Sequence, residues 1–237
     1  RSLIGQFDVI LTYGGGPPVM AIYEGCGAQQ CMPIYNALDP TTHFPVEANP
    51  RFRGSLGYLG DRVPDREGRV WEFFLDPAWR TPEAIFLLGG SGWRETSLLA
   101  ANVRPVGHIY SRDHNAFNST PAAVLNISRA GTARFGFCPA TKLFEAIGAG
   151  ACVITDRWPG VEEFFEPGSE ILVADDGQAV AEHVQRLTLS RGRQLGRAAL
   201  QRALAEHTYA HRAAEVEAIF QGRRLPRHSL DACAPVR

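Results

Sequence analysis

Lys142 and Glu145 stand three positions apart in Thr141-Lys142-Leu143-Phe144-Glu145-Ala146-Ile147, a stretch with the spacing of an amphipathic helix, so both project from nearby parts of one face. A carboxylate so placed can accept both hydroxyls of a ribose, and an ammonium can neutralise phosphate. An intrahelical ion pair is the plainer use of the same two groups. Arg62 and Arg66 lie four apart in Gly57-Tyr58-Leu59-Gly60-Asp61-Arg62-Val63-Pro64-Asp65-Arg66, where a predicted strand gives way to a helix. A guanidinium can grip two oxygens at once, each charge-assisted bond contributing about 1.5–3 kcal/mol, which suits a diphosphate. Surface pairing with Asp61, Asp65 or Glu67 is the competing use.

Three further groups are weaker signals. Gly89-Gly90-Ser91-Gly92-Trp93 follows a strand and precedes a predicted short helix, where glycines let the backbone approach an anionic ligand or simply make a tight turn. It lacks the spacing of the dinucleotide fingerprint, the Lys-Ser/Thr of a P-loop and the last glycine of a nucleophile elbow, whose place Trp93 takes. Asp156-Arg157-Trp158-Pro159-Gly160-Val161-Glu162-Glu163 ends a strand and predicts a helix opening near Val161, its acids serving as first-turn caps or as contacts to sugar hydroxyls. His108, Tyr110, Asp113, His114 and Asn118 crowd one loop where a base or sugar could be read. No histidine, cysteine and carboxylate set has metal-ligand spacing, so no metal is implied.

The elements that must position these groups are short apolar runs at Asp8–Tyr13, Cys31–Tyr35, Ser55–Leu59, Ala84–Leu88, Val103–Gly107, Ala123–Ile127, Cys152–Thr155 and Ile171–Ala174, with helical patterns between most of them. Alternation of this kind predicts an α/β protein with a doubly wound parallel sheet, whose ligands bind at the carboxyl ends of the strands. Asn36–Arg53 has neither period and carries prolines at 40, 45 and 50, marking an interdomain linker. The two strands before it, with one helix from near Pro17, are too few to close a sheet. We therefore expect residues 1–47 to be the tail end of an amino-terminal Rossmann-like domain plus linker, 48–222 a complete Rossmann-like domain, and 223–237 a tail bearing Arg223, Arg224 and Arg227. Gln194–Glu206 and Tyr209–Phe220 read as terminal helices parted at His207-Thr208. The opening Arg1-Ser2-Leu3-Ile4 reads as the start of a fragment.

Composition narrows the classes. At 237 residues and 45% hydrophobic content the chain can bury a large core. With 24 basic against 25 acidic residues it has no overall basic field to attract nucleic acid. No run of about 18 apolar residues is available to cross a membrane. Five cysteines in neither zinc nor disulfide spacing suit reduced thiols in a cytoplasm. A Rossmann oxidoreductase would need a glycine fingerprint and an acidic residue about 20 positions on. Neither is supplied. A non-catalytic module that binds a sugar nucleotide or a protein is the alternative to an enzyme.

Taken in order, Leu59-Gly60-Asp61-Arg62 with Arg66, Leu88-Gly89-Gly90-Ser91-Gly92, Phe144-Glu145-Ala146 with Gly150-Ala151-Cys152-Val153-Ile154-Thr155-Asp156, and Gly160 with Glu163 resemble the carboxyl-terminal domain of GT-B glycosyltransferases. A closer resemblance, spanning nearly the whole chain, is to the CgeB-like (spore maturation protein) glycosyltransferases. It is carried by Tyr58-Leu59-Gly60-Asp61-Arg62-Val63-Pro64-Asp65-Arg66, Leu125-Asn126-Ile127-Ser128-Arg129, Glu206-His207-Thr208-Tyr209-Ala210 and Asn36-Ala37-Leu38-Asp39-Pro40-Thr41-Thr42-His43.

This resemblance implies two Rossmann-like domains facing a cleft and transfer of a sugar from a nucleoside-diphosphate donor to an unnamed acceptor, without cofactor or metal. Arg62 and Lys142 are then the catalytic cations on the leaving diphosphate. Arg66 and Gly89, Gly90, Ser91 and Gly92 approach the same phosphates, Glu145 holds the ribose and Glu163 the donor sugar. His108, Tyr110 and Asn118 complete the donor set. Related retaining enzymes often carry a second glutamate eight residues before the ribose-binding one, where this chain has Phe137. The resemblance further implies that most of the acceptor-side domain lies outside this sequence, so that the chain could bind donor without turning it over.

Overall fold

The computed structural model describes residues 3–93 and 99–222; the helix expected after Trp93, Cys233 and the arginine tail lie outside the described residues. Two parallel sheets are present. The small one pairs β1 (Ile10–Thr12) with β2 (Cys31–Pro33), joined by α1 (Gly16–Gly25). The large one contains β3 (Leu56–Leu59), β4 (Phe86–Gly89), β5 (Val103–Gly107), β6 (Ala123–Asn126), β7 (Val153–Asp156) and β8 (Leu172–Ala174), in the order β5-β4-β3-β6-β7-β8. The chain thus winds outward from β3 to one edge, returns to the centre at β6 and winds to the other, the doubly wound order.

Burial on both faces explains why the apolar runs became central strands: every residue of β4, β6 and β7 is buried. Side chains alternate between two cores. Ala123, Leu125 and Ile154 face one with Phe73, Phe74 and Phe86, while Val124 and Val153 face the other with Leu143, Phe144 and Phe165. The first core is covered by α2 (Pro64–Val70), which runs through a π-helical turn at Trp71–Leu75 into α3 (Asp76–Arg80), and by α7 (Gly177–Arg186). The remaining helices are α4 (Ser111–Ser119), α5 (Ala130–Phe135), α6 (Thr141–Gly148), α8 (Leu189–Glu206) and α9 (Tyr209–Phe220). His207 and Thr208 part the last two as expected, because Thr208 caps α9 through a reciprocal bond with His211.

One expectation changes. The helix predicted near Val161 is a single 3-10 turn, Val161–Glu163. Phe164 and Phe165 directly after it are driven into the second core, where they pack around His207, and Pro167 follows, so no longer helix can form. The proline-bearing segment 36–53 is tied to the helices through its backbone. Leu38 is buried, its N–H donates to the His207 carbonyl at 2.8 Å, and its own carbonyl accepts from the Tyr209 N–H at 3.0 Å. Gly148 makes room for this strap rather than for the sheet, since a Cβ there would lie 2.4 Å from the Leu38 side chain.

At Gly90 the backbone has φ +119°, and a Cβ would stand 2.2 Å from the carbonyl oxygen of Gly60. Gly90→Ala must therefore strain or part the two loops, and is expected to cost about 2 kcal/mol or more. Gly68→Ala, in α2 with nothing within 4 Å of the added carbon, should gain up to about 1 kcal/mol. Thermal unfolding of the two variants checks the contrast. Equal midpoints would mean that the loops are not in contact.

Candidate functional site

The β3–β6 pairing covers only Leu56–Gly57 against Ala123–Val124. Beyond it the strands part, because their chains leave to opposite faces of the sheet. A cavity of about 320 Å³ opens there, floored by Tyr58 and Leu59 of β3 and Leu125 and Asn126 of β6. Arg66 of α2, Asn118 of α4, and Thr141, Lys142 and Glu145 of α6 supply its polar wall. The structure thus brings together four of the site residues expected from sequence: Arg66, Asn118, Lys142 and Glu145.

No ion pair joins Lys142 to Glu145. The ammonium turns across to the Leu59 carbonyl, 3.0 Å away, an oxygen beyond the last residue of β3 that β6 pairs. Burial lowers the pKa of Lys142 and the nearby Arg66 charge lowers it further, with Glu145 and Asp61 pulling the other way. Ala140 leaves the start of α6 without a side-chain cap, so its first N–H groups open at the cavity wall beside these cations. Two positive side chains and a helix amino-terminus around one partly enclosed space make a site for an anion.

The other expected residues lie outside this wall. Arg62 directs both Nε (3.1 Å) and Nη2 (2.5 Å) at Oε1 of Glu67. The glycine loop does not line the cavity. Its Gly90 N–H donates to the Gly107 carbonyl at 2.9 Å and its Ser91 N–H to Asp61 Oδ1 at 2.7 Å. The glycines at 90 and 92 let this loop lie against Gly60–Arg62, which is the tight-turn use of Gly89, Gly90, Ser91 and Gly92. His108 and Tyr110 stack edge to face at 4.7 Å on an exposed ledge, with Arg112 over the tyrosine ring. Glu163 is half-buried in the 3-10 turn; burial and then Glu162 raise its pKa, and its charge helps raise that of Tyr35 in turn.

Phe137, in the place where related enzymes carry a glutamate, is buried with φ +46°, a left-handed conformation unusual for a bulky side chain. Its N–H donates to the Pro159 carbonyl at 2.7 Å and its carbonyl accepts from the Gly15 N–H at 2.9 Å. A Cβ on Gly16 or Gly160 would lie 2.5 or 2.3 Å from its ring. The residue therefore clasps the front unit to the turn after β7 instead of presenting a carboxylate.

Sequence reasoning did not assign Tyr58, Asn126 or Thr141 to the site. Asn126 carried a readable signal, a polar residue at the carboxyl end of an apolar strand, and its amide donates to Thr155 Oγ1 at 2.9 Å. Arg69 carried none. It reaches from α2 to Asp156 Oδ2 at 2.7 Å, while the Ser128 N–H donates to Oδ1 at 2.9 Å. Asp156, fully buried at the end of β7, is thereby a fastener and not a free carboxylate. Burial raises its pKa; the Ser128 N–H and Arg69 draw it back. Among the described residues no group of three or more His, Cys, Asp and Glu could hold a metal ion.

Arg69→Met leaves that carboxylate without its counter-charge and is expected to cost about 1–3 kcal/mol at neutral pH. Asp156 already holds its proton more tightly folded than unfolded, and without Arg69 it would hold it more tightly still. The deficit should therefore shrink as pH falls from neutral towards about 4, the ordinary carboxylate range. Urea unfolding across that range measures it; a deficit constant with pH would show that the arginine serves something other than this carboxylate.

Comparisons with known proteins bear on this geometry. The family described as glycosyl transferase-like matches residues 66–218, more than half of the chain. No curated protein matches. Among solved structures, the chain is similar to sucrose-phosphate synthase from Thermosynechococcus elongatus, at 16% identity and a TM-score of 0.70 over 93% of this chain and 59% of that one. It is similar to Anabaena HepE in complex with UDP and glucose, at 15% identity and a TM-score of 0.67 over 92% and 64%. It also resembles the pneumococcal O-GlcNAc transferase GtfA in complex with UDP and GlcNAc, at 14% identity and a TM-score of 0.59 over 92% and 46%. The chain spans less than two thirds of the length of each, and the likeness shows a fold of the GT-B type.

Proposed function

Because the chain belongs to the glycosyl transferase-like family, we propose that it forms the donor-binding half of a CgeB-like glycosyltransferase that moves a sugar from a nucleoside diphosphate to an acceptor. The carrying observation is the cavity at the strand-order reversal, with Arg66, Lys142, Glu145 and the uncapped start of α6 on its wall. The diphosphate lies against Arg66, Lys142 and the helix amino-terminus, and Glu145 takes the ribose hydroxyls. Reaction breaks the bond between the sugar's anomeric carbon and the terminal phosphoryl oxygen. Negative charge then grows on the diphosphate, where Arg66 and Lys142 are already oriented to meet it without a metal. Arg62 joins them by exchanging Glu67 for phosphate. His108 and Tyr110 offer a ledge for the base, and Glu163 meets the sugar when the cleft is completed by chain outside this span. Free thiols at Cys26, Cys31, Cys138 and Cys152 suit a cytoplasmic setting.

Phe137 favours a second reading, a module that binds the sugar nucleotide without transferring from it. Release of free nucleoside diphosphate from the donor in the presence of the whole protein separates the two.

Calorimetric titration with the diphosphates of uridine, guanosine, adenosine and thymidine tests the donor site. UDP is the first choice because it accompanies two of the similar structures. One diphosphate should saturate. Arg66→Ala and Lys142→Ala should each weaken it about 10- to 100-fold, as loss of a charge-assisted bond does, and Glu145→Ala should weaken it less. Saturation by NAD alone would sink the proposal.

The lowered pKa of Lys142 adds a pH signature. A bound diphosphate favours the ammonium, so affinity is full below the free-state pKa and falls as pH rises through it, beginning below the usual lysine range near 10.4. Lys142→Met should flatten this alkaline limb. An identical limb in that variant would assign the titration elsewhere.

A further inference from the structure

Two polar atoms on the cavity wall lack hydrogen-bond partners although they are buried: the hydroxyl of Tyr58 and the Nε of Arg66. Tyr58 is only 2% exposed, one ring among the first core with Phe74 at 5.6 Å, and it is one of the residues that line the cavity. Gly60 leaves room for its hydroxyl, since a Cβ at position 60 would stand 2.6 Å from it. The Arg66 guanidinium lies close enough to the phenol to lower its pKa both as a charge and as a hydrogen-bond donor, although neither orphan atom completes a bond of full geometry. Buried donors are almost always satisfied, and two orphans on one wall are a pairing left for something that enters.

Resting on the donor-site reading above, we propose that the Tyr58 hydroxyl and the Arg66 Nε form a two-point grip on a phosphoryl oxygen of the bound diphosphate, with Tyr58 donating its O–H. The chemistry fits. Burial raises the phenol's pKa, which keeps the proton in place at neutral pH, and a phosphate oxygen accepts several short bonds at once. A phosphoryl oxygen that accepts from both atoms adds charge to each bond. The rigid ring fixes where that oxygen sits, and with it the register of the diphosphate along β3.

Tyr58→Phe removes one oxygen and leaves the core ring. Its binding of UDP, inorganic pyrophosphate and uridine is to be compared calorimetrically with that of the unaltered chain, alongside the thermal midpoints. UDP and pyrophosphate should both bind about tenfold more weakly, uridine equally, and the midpoint should hold because the ring keeps its packing in the core. Unchanged UDP and pyrophosphate affinities overturn the proposal. So does a uridine affinity that falls in step with the others, or a lowered midpoint, because either makes the hydroxyl a packing group. If the unaltered chain binds neither UDP nor pyrophosphate but Tyr58→Phe melts as it does, the donor-site reading itself has failed.

Discussion

In a parallel sheet wound outward from its middle, the two central strands send their chains to opposite faces, and no crossover can cover the gap between their carboxyl ends. The separation of β3 from β6 after Gly57 and Val124 is that gap. Much of the site follows from it. The carbonyl of Leu59 is left to Lys142, and α2 and α6, which bring Arg66 and Glu145, begin at the loops that leave β3 and follow β6. The backbone at the reversal holds polar groups that the sheet itself cannot pair, and these are what a ligand can use.

Keeping the gap open requires its surroundings to be rigid, and much of the loop chemistry goes to that end. The glycine loop lies against Gly60–Arg62 through two backbone bonds, Gly60 N–H to the Gly89 carbonyl and Arg62 N–H to the Ser91 carbonyl, and its Gly90 N–H donates to Gly107 in the neighbouring strand. Trp93 closes the arrangement by donating its indole N–H to the Gly60 carbonyl at 2.7 Å. Arg69 and Asp156 tie α2 to the end of β7 across the same edge. On the far side, the strap through Leu38 fixes the junction of α8 and α9 to the back of α6.

Most of the strand framework was legible because buried parallel strands are written as short apolar runs, and each of the eight appears within a few residues of its expected place. Lys142, Glu145 and Arg66 were legible for a different reason: charge at the carboxyl end of an apolar strand, or in the first turns of the helix that follows, has few structural uses. The use of the glycine loop was not legible, because glycine serves close approach to backbone and to ligand alike; in the structure Gly90 lies against the carbonyl of Gly60. Arg62 and Arg66 could not be told apart by spacing. Glu67 holds the first, and nothing in the sequence ranks that pairing above Asp61 or Asp65. Tyr58 was hidden by its own ring, which reads as core and is core.

The distribution of charge around the cavity separates a binding site from a merely stable surface. A fold selected for stability alone would pair Lys142 with Glu145, one helical turn apart on one face. Here the ammonium is partly desolvated, shares its space with Arg66 and satisfies only a neutral carbonyl. Desolvation and the Arg66 charge disfavour the ammonium in the empty protein. An anion that enters between the two cations offsets their repulsion, so this part of the cost is relieved on binding. The same reasoning covers Arg66 Nε and the phenol of Tyr58, whose missing bonds are a cost only while the cavity lacks an acceptor. Stability is recovered away from the ligand, in the two phenylalanine-rich cores and in Asp156, whose buried charge is met by Arg69 and the Ser128 N–H.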